Sequence, residues 1–262
     1  MGMSTFSQAH IVVTGAGSGI GLELIRQLYP FTHRIVAVDY SESRLENLAL
    51  EFPKLEGFVI ADLSQKEGNR QILDWIDTHW SNVDFCFSNA GKAEFQQASL
   101  QNWKNMEALF QLNVNSPIQL GLELKNRCKD AEFRHVITCS AMAFWAVPGY
   151  SLYGASKAAL LQWANTLWTE KSGDWLSLVF PIATATGFFE AAGNHIPRAF
   201  PVQEPGLVAR KILAGVIKKQ RKIFPSPLFR GMLVLDQFLF FIRPMYQRLE
   251  YRKFKNWVSE QS

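Results

Sequence analysis

Short apolar runs alternating with helical stretches predict an α/β protein built on a doubly wound parallel sheet. Three observations support this. The runs RIVAV, GFVIA and VDFCFS end successively at Asp39, at Asp62 and at Asn89-Ala90-Gly91, as the carboxyl edge of such a sheet requires. The first run, His10 to Val13, enters a glycine-rich turn that opens a helix ended by Pro30. A chain of 262 residues, 48% hydrophobic and 19% charged, suits one large packed domain rather than a disordered segment.

In the first turn, T-G-x-x-x-G-x-G, Gly15, Gly19 and Gly21 let backbone N–H groups approach a pyrophosphate at a helix N-terminus. The second run ends at Asp39, where an acid hydrogen-bonds adenosine ribose hydroxyls and repels a 2′-phosphate. No Arg stands in the glycine turn, which has Ser18, and none directly follows Asp39. The expectation is therefore NAD(H) in preference to NADP(H). Ser41 and Ser43 supply caps for a helix over 43–52. After the third run, Ser64-x-x-Glu67 reads as a capping box for a helix to about Trp80. Ser99 opens a long helix to about Asn126. Asn113 in its middle is intrinsically unfavourable, which a water held near a reactive site would explain, as would an exposed face.

HVITC is a buried strand that delivers Ser140, and thirteen residues later Tyr153 precedes Lys157 by one helical turn. A free phenol, with a pKa of about 10, is a poor base at neutral pH. A neighbouring ammonium favours the phenolate, so Tyr153 is placed to exchange a proton with a substrate oxygen held by Ser140.

On these motifs the chain resembles the short-chain dehydrogenase/reductase family over about residues 8–225. Thr14, Gly15, Gly19 and Gly21, with Ser18 and Ile20 between them, match its cofactor turn. Asp62, followed by Leu63, matches its adenine contact, and Asn89-Ala90-Gly91 its sheet-stabilising motif. Asn113, Ser140, Tyr153 and Lys157 match its catalytic tetrad in order and spacing. The resemblance implies a Rossmann-type sheet of seven parallel strands. It implies Tyr153 as proton donor or acceptor, Lys157 as pKa-lowering partner and ribose ligand, Ser140 orienting the substrate, and Asn113 holding a relay water. Pro181 and Thr186 would contact the nicotinamide, and homodimers or homotetramers would join through the helices carrying Asn113 and Tyr153. Two residues depart from the pattern: Ser88 replaces a common Asn, and Ile182 a common Gly beside the nicotinamide pocket.

Met142, Phe144, Trp145, Val147 and Tyr150 after Ser140, and Phe188, Phe189, Ile196, Pro197 and Phe200 after Thr186, lie in connecting segments where binding residues concentrate. They favour a lipophilic alcohol or ketone. His195 reads as a lid-surface residue. A helix over 205–220 and a last short strand, IFP, complete the domain at 225.

Residues 226–262 form a hydrophobic, basic helical extension. Met232, Leu235, Leu239, Ile242, Tyr246 and Leu249 recur at spacings of three and four, and Phe238, Phe240 and Phe241 widen that face. Pro244 should kink or end the helix. Residues 209–262 hold 12 Lys/Arg against 3 Asp/Glu, whereas residues 1–208 hold 15 against 20. Arg230, Asp236 and Arg243 interrupt any transmembrane run, so this segment either lies in an anionic membrane interface or packs on the sheet or a partner subunit. No nucleic-acid recognition motif accompanies the basic groups. Cys86, Cys128 and Cys139 lack metal-ligand spacing and read as reduced core thiols. With no signal-like N-terminus, they predict a cytoplasmic protein.

The sequence thus points to hydride exchange between NAD(H) and a lipophilic hydroxyl/carbonyl pair. An NADPH-dependent ketone or 3-oxoacyl reductase, and a non-catalytic nucleotide-binding regulatory or membrane-associated protein, remain as alternatives.

Overall fold

The computed structural model describes residues 2–128, 132–193, 195–197 and 199–261; the side chains of Phe189, Glu190 and Gln261 lie outside this set. Seven strands form one parallel sheet: β1 (Ile11–Thr14), β2 (Ile35–Asp39), β3 (Gly57–Ile60), β4 (Phe85–Ser88), β5 (Arg134–Thr138), β6 (Leu176–Val179) and β7 (Lys222–Ile223). Their order is β3-β2-β1-β4-β5-β6-β7. Ile11 pairs with both Ile35 and Phe85, so the winding reverses at β1 and opens a crevice at the carboxyl ends of β1 and β4.

Strand residues alternate between the two faces. Ile11 and Val13 pack with Leu24, Ile25 and Leu28 of α1 (Gly19–Leu28) and with Ile212 of α8 (Pro205–Ile217). Val12, Val36 and Val38 pack on the opposite face with Ile72 and Ile76 of α3 (Lys66–His79) and Leu120 of α5 (Ser116–Arg127). All these side chains are fully or almost fully buried. Both faces are covered, which is why the strands read as continuous apolar runs.

Several local expectations are corrected. The Ser64/Glu67 capping box does not form. Ser64 Oγ donates instead to Asp62 Oδ1 at 2.7 Å, and Gln65 becomes the N-cap of α3 without a side-chain cap. No side chain caps α2 (Glu42–Glu51) either. Ser41 and Ser43 pair with each other, and Asp39 Oδ1 accepts the Ser41 N–H. The long helix begins at Trp103, because Asn102 and not Ser99 accepts the first-turn N–H, from Asn105. It runs as α4 (Trp103–Phe110), a π-helical turn (Gln111–Asn115) and α5.

The tail is two helices, α9 (Pro227–Leu235) and α10 (Ile242–Gln261), joined by a turn. Pro244 neither kinks nor ends a helix. It sits in the first turn of α10, where its missing N–H is not needed. Tyr246, Phe254 and Trp257 face inward, toward Trp145 and Phe95. Among the described residues no helix is long and apolar enough to cross a membrane.

Candidate active site

Thr14 closes β1 and its Oγ1 accepts the N–H groups of Asn89 and Ala90, each at 3.1 Å. Thr138 Oγ1 donates to Asn89 Oδ1, so one asparagine ties the ends of β1, β4 and β5 together. The glycine turn fits this frame for steric reasons. Gly15 has φ +64°, and a Cβ there would stand 2.9 Å from Ala90 Cα; at Gly21 it would stand 2.0 Å from Gly15 O. Larger residues would clash with this frame and fill the turn that lines the crevice.

A single cavity of about 820 Å³ runs from this turn across the ends of the strands. Gly15, Ser18, Gly19, Ile20, Asp39, Asp62, Leu63, Asn89, Ala90, Gly91, Ser140, Tyr153, Lys157, Pro181 and Thr186 all line it. Of the expected site residues, Thr14, Gly21 and Asn113 stand behind its wall. The lining groups fit a dinucleotide: a glycine turn, the Asp39 and Asp62 carboxylates, and beyond them a phenol, a hydroxyl and an amine.

At the carboxylate end, Asp39 is buried and its Oδ2 accepts the Gly17 N–H at 3.0 Å. Arg44, in the first turn of α2, brings Nη1 within 3.9 Å of Asp39 Oδ1 and lines the cavity. The sequence reading missed this arginine because it follows Asp39 by five residues and returns only through the bend into α2.

At the other end, α6 (Ser151–Thr169) carries Tyr153 and Lys157 on its inner face, 5% and 3% exposed. Lys157 Nζ donates to Thr138 O at 2.9 Å and lies 5.6 Å from the Tyr153 ring centroid. In the protein alone, burial dominates both groups. It raises the Tyr153 pKa, which a hydrogen bond with Ser140 partly offsets. It lowers Lys157 to about 8, against a smaller opposing effect of Cys139. Asn113 sits in the π-helical turn, a distortion frequent at functional sites. Its Oδ1 accepts the Lys92 N–H at 2.9 Å, while its Nδ2 donates to Lys92 O and Ser156 Oγ. Ser156 Oγ donates in turn to Tyr153 O at 2.7 Å.

The apolar end takes Met142, Trp145, Val147, Tyr150, Phe188, Pro197 and Phe200 from the expected set, and Ile182 as well. Phe144 turns away into the core against Phe180, and Ile196 packs with Phe95 and Ala192 behind the wall. The Phe189 side chain lies outside the described residues. His195 is exposed. Sequence reasoning also missed Leu228, Phe229, Met232, Tyr246 and Glu250, which bring the tail helices onto the cavity. The six residues at three- and four-residue spacing do not form one face: a turn separates Leu235 from Ile242, Met232 and Tyr246 line the cavity, and Leu235, Leu239 and Leu249 are exposed.

Comparison with known proteins agrees with this geometry. Residues 9–194 match the family model for short chain dehydrogenases. The uncharacterized oxidoreductase YbbO of Escherichia coli K12 is 30% identical over 227 residues, covering 84% of this chain and 82% of that protein. A short-chain dehydrogenase from Sphingobium yanoikuyae in complex with NADPH superposes with a TM-score of 0.75 at 23% identity, covering 88% of this chain and 95% of that one. A Burkholderia phymatum relative in complex with NAD gives 0.76 at 19% identity, covering 88% and 94%. At such identities these two speak for the fold alone. Sheet order, glycine cradle and family match together place the chain in the short-chain dehydrogenase/reductase family of NAD(P)-linked oxidoreductases.

Proposed function

We propose that the protein interconverts a lipophilic alcohol and its ketone, with Tyr153 as general acid/base. The observation that carries this is one continuous cavity with the glycine turn and Asp39 at one end and Ser140, Tyr153 and Lys157 at an apolar other end. Gly15, Ser18, Gly19 and Ile20 would hold the pyrophosphate, Asp39, Asp62 and Leu63 the adenosine, and Pro181 and Thr186 the nicotinamide. When bound, the dinucleotide supplies or accepts the hydride, and its oxidised ring adds positive charge beside Tyr153. In oxidation, Tyr153 Oη accepts the substrate's hydroxyl proton; in reduction it returns one to the nascent alkoxide. Ser140 Oγ hydrogen-bonds that same oxygen. Lys157 stabilises the phenolate and binds the ribose, while Asn113 holds the Lys92 backbone and, through Ser156, the turn bearing Tyr153.

Asp39 supports NAD(H) as cofactor. Arg44 supports a second reading, an NADPH-dependent ketone or 3-oxoacyl reductase, because a guanidinium beside the ribose end suits a 2′-phosphate. We read residues 226–262 as a lid on the 1–225 domain. Exposed Trp103 and Leu122 on α4 and α5 support pairing into homodimers or homotetramers. Three free, buried cysteines support a reducing, cytoplasmic setting. Nicotinamide absorbance, followed with NAD(H) and NADP(H) over a panel of hydrophobic alcohols and ketones, tests the reading. Turnover that vanishes in Tyr153→Phe is the result expected; dinucleotide binding without turnover across the panel would overturn it.

A further inference from the structure

We infer that the turn joining α9 to α10 seats in an anionic lipid surface, from which the cavity takes its substrate. The lipid contact stands on the tail alone; the feeding step rests on the lipophilic substrate proposed above.

Val234, Leu235, Phe238, Phe240, Phe241 and Met245 are 50% to 85% exposed, all within one short stretch. Isolated apolar side chains on a surface need no explanation, but a run of this kind marks a contact. The turn is also built rather than frayed. Asp236 Oδ1 accepts the Arg243 N–H at 3.2 Å, and its Oδ2 accepts Arg243 Nε at 3.0 Å. Leu239 N–H donates to Leu235 O and Ile242 N–H to Leu239 O. This clasp neutralises the charges nearest the apex and leaves the phenylalanines outward.

Charge selects the occupant. Residues 226–262 hold 6 Lys/Arg against 3 Asp/Glu, and Asp236 and Glu250 are paired with Arg243 and Lys253. Arg248, Arg252 and Lys255 are exposed on α10, the same helix that exposes Met245 and Leu249. An apolar apex flanked by exposed cations matches the interface of an anionic bilayer. A second copy of the chain would bring the same basic excess against itself, since a two-fold contact presents one patch to its own image.

The helices on either side of the apex wall the cavity, through Leu228 and Met232 from α9 and Tyr246 from α10. Leu228 is also 62% exposed, so the apolar surface continues from the cavity to the outside. A hydrophobic alcohol dissolved in the lipid would meet this wall without crossing water.

The test is flotation of the full chain with vesicles of phosphatidylcholine alone or with about 20% phosphatidylserine. Phe238→Ser/Phe240→Ser/Phe241→Ser and Arg248→Glu/Arg252→Glu alter exposed side chains only, and unchanged circular dichroism and dinucleotide affinity verify their folding. Wild type should bind the anionic vesicles, and each variant should bind about tenfold or more weakly. Equal binding by all three proteins, or none by wild type, overturns the lipid contact. So does a triple variant that sediments as a smaller oligomer while wild type ignores vesicles, since a second copy then covers the patch. For feeding, the triple variant should raise KM for a vesicle-dissolved ketone and leave KM for a water-soluble ketone unchanged. Equal shifts for both overturn the feeding step. Absence of turnover with either ketone overturns it together with the oxidoreductase reading, and flotation still decides the lipid contact.

Discussion

Lys157 retains its ammonium under burial, which holds its pKa near 8, below the 10.5 of an exposed lysine. Below about pH 8 both folded and unfolded chains carry the proton, and the folded one bears a desolvation cost on the order of 3 kcal/mol. That cost fades as pH rises from 8 to 10.5. Lys157→Met should therefore abolish turnover and yet raise Tm at pH 7, with the gain shrinking toward pH 10.5 in thermal melts across that window. The lost hydrogen bond to Thr138 O offsets about 1 kcal/mol of it. Tyr153→Phe should cost at least about a hundredfold in kcat with little change in dinucleotide Kd, read by stopped turnover and by titration. At the ribose end, Asp39→Ala should shift preference toward NADP(H), and Arg44→Ala should weaken NADP(H) more than NAD(H). Comparing kcat/KM for the two cofactors checks both, and an unchanged ratio in each variant would remove the ribose assignment.

The element that explains a departure from the family pattern is β5. Its His135 is fully buried, with Nε2 2.8 Å from Ser88 Oγ, so Ser88 serves this histidine where the family often has Asn. The ring lies under α5, where a Cβ on Gly121 would come within 2.0 Å of His135 Nδ1. Gly121→Ala should destabilise by about 1–3 kcal/mol through overpacking, read by urea denaturation. Burial lowers the His135 pKa to about 3 from 6.5, so the folded chain keeps it neutral where the unfolded chain protonates. The resulting stability is complete above pH 6.5 and is lost, by up to about 1.4 kcal/mol per pH unit, as pH falls toward 3. His135→Gln should flatten that part of the acid-stability curve. The π-helical turn just before α5 answers for Asn113: clasping Lys92 at both its N–H and its carbonyl offsets the poor helix propensity.

Over the whole molecule, the reversal of winding at β1 places one crevice where the cofactor cradle and the phenol–amine pair meet, and the tail helices line its apolar end. Removing residues 226–262 should raise KM for bulky hydrophobic substrates about tenfold or more and leave dinucleotide Kd nearly unchanged, measured by steady-state kinetics and titration. Local sequence sufficed for the features set by period and backbone sterics. The strand runs, the glycine turn and the four-residue spacing of Tyr153 and Lys157 are properties of period and backbone sterics, and they survive any packing of the rest. The capping box failed because α3 is capped at Gln65, which leaves Ser64 one residue outside the cap, held in a turn by Asp62, a one-residue shift that pattern alone does not fix. Arg44 beside Asp39, Phe144 turned into the core, and Tyr246 and Glu250 on the cavity wall were decided only by tertiary structure. Periodic spacing groups side chains only while one helix lasts, and the turn between Leu235 and Ile242 divides the tail's set; which surface each helix then meets depends on how sheet and helices pack across long stretches of chain.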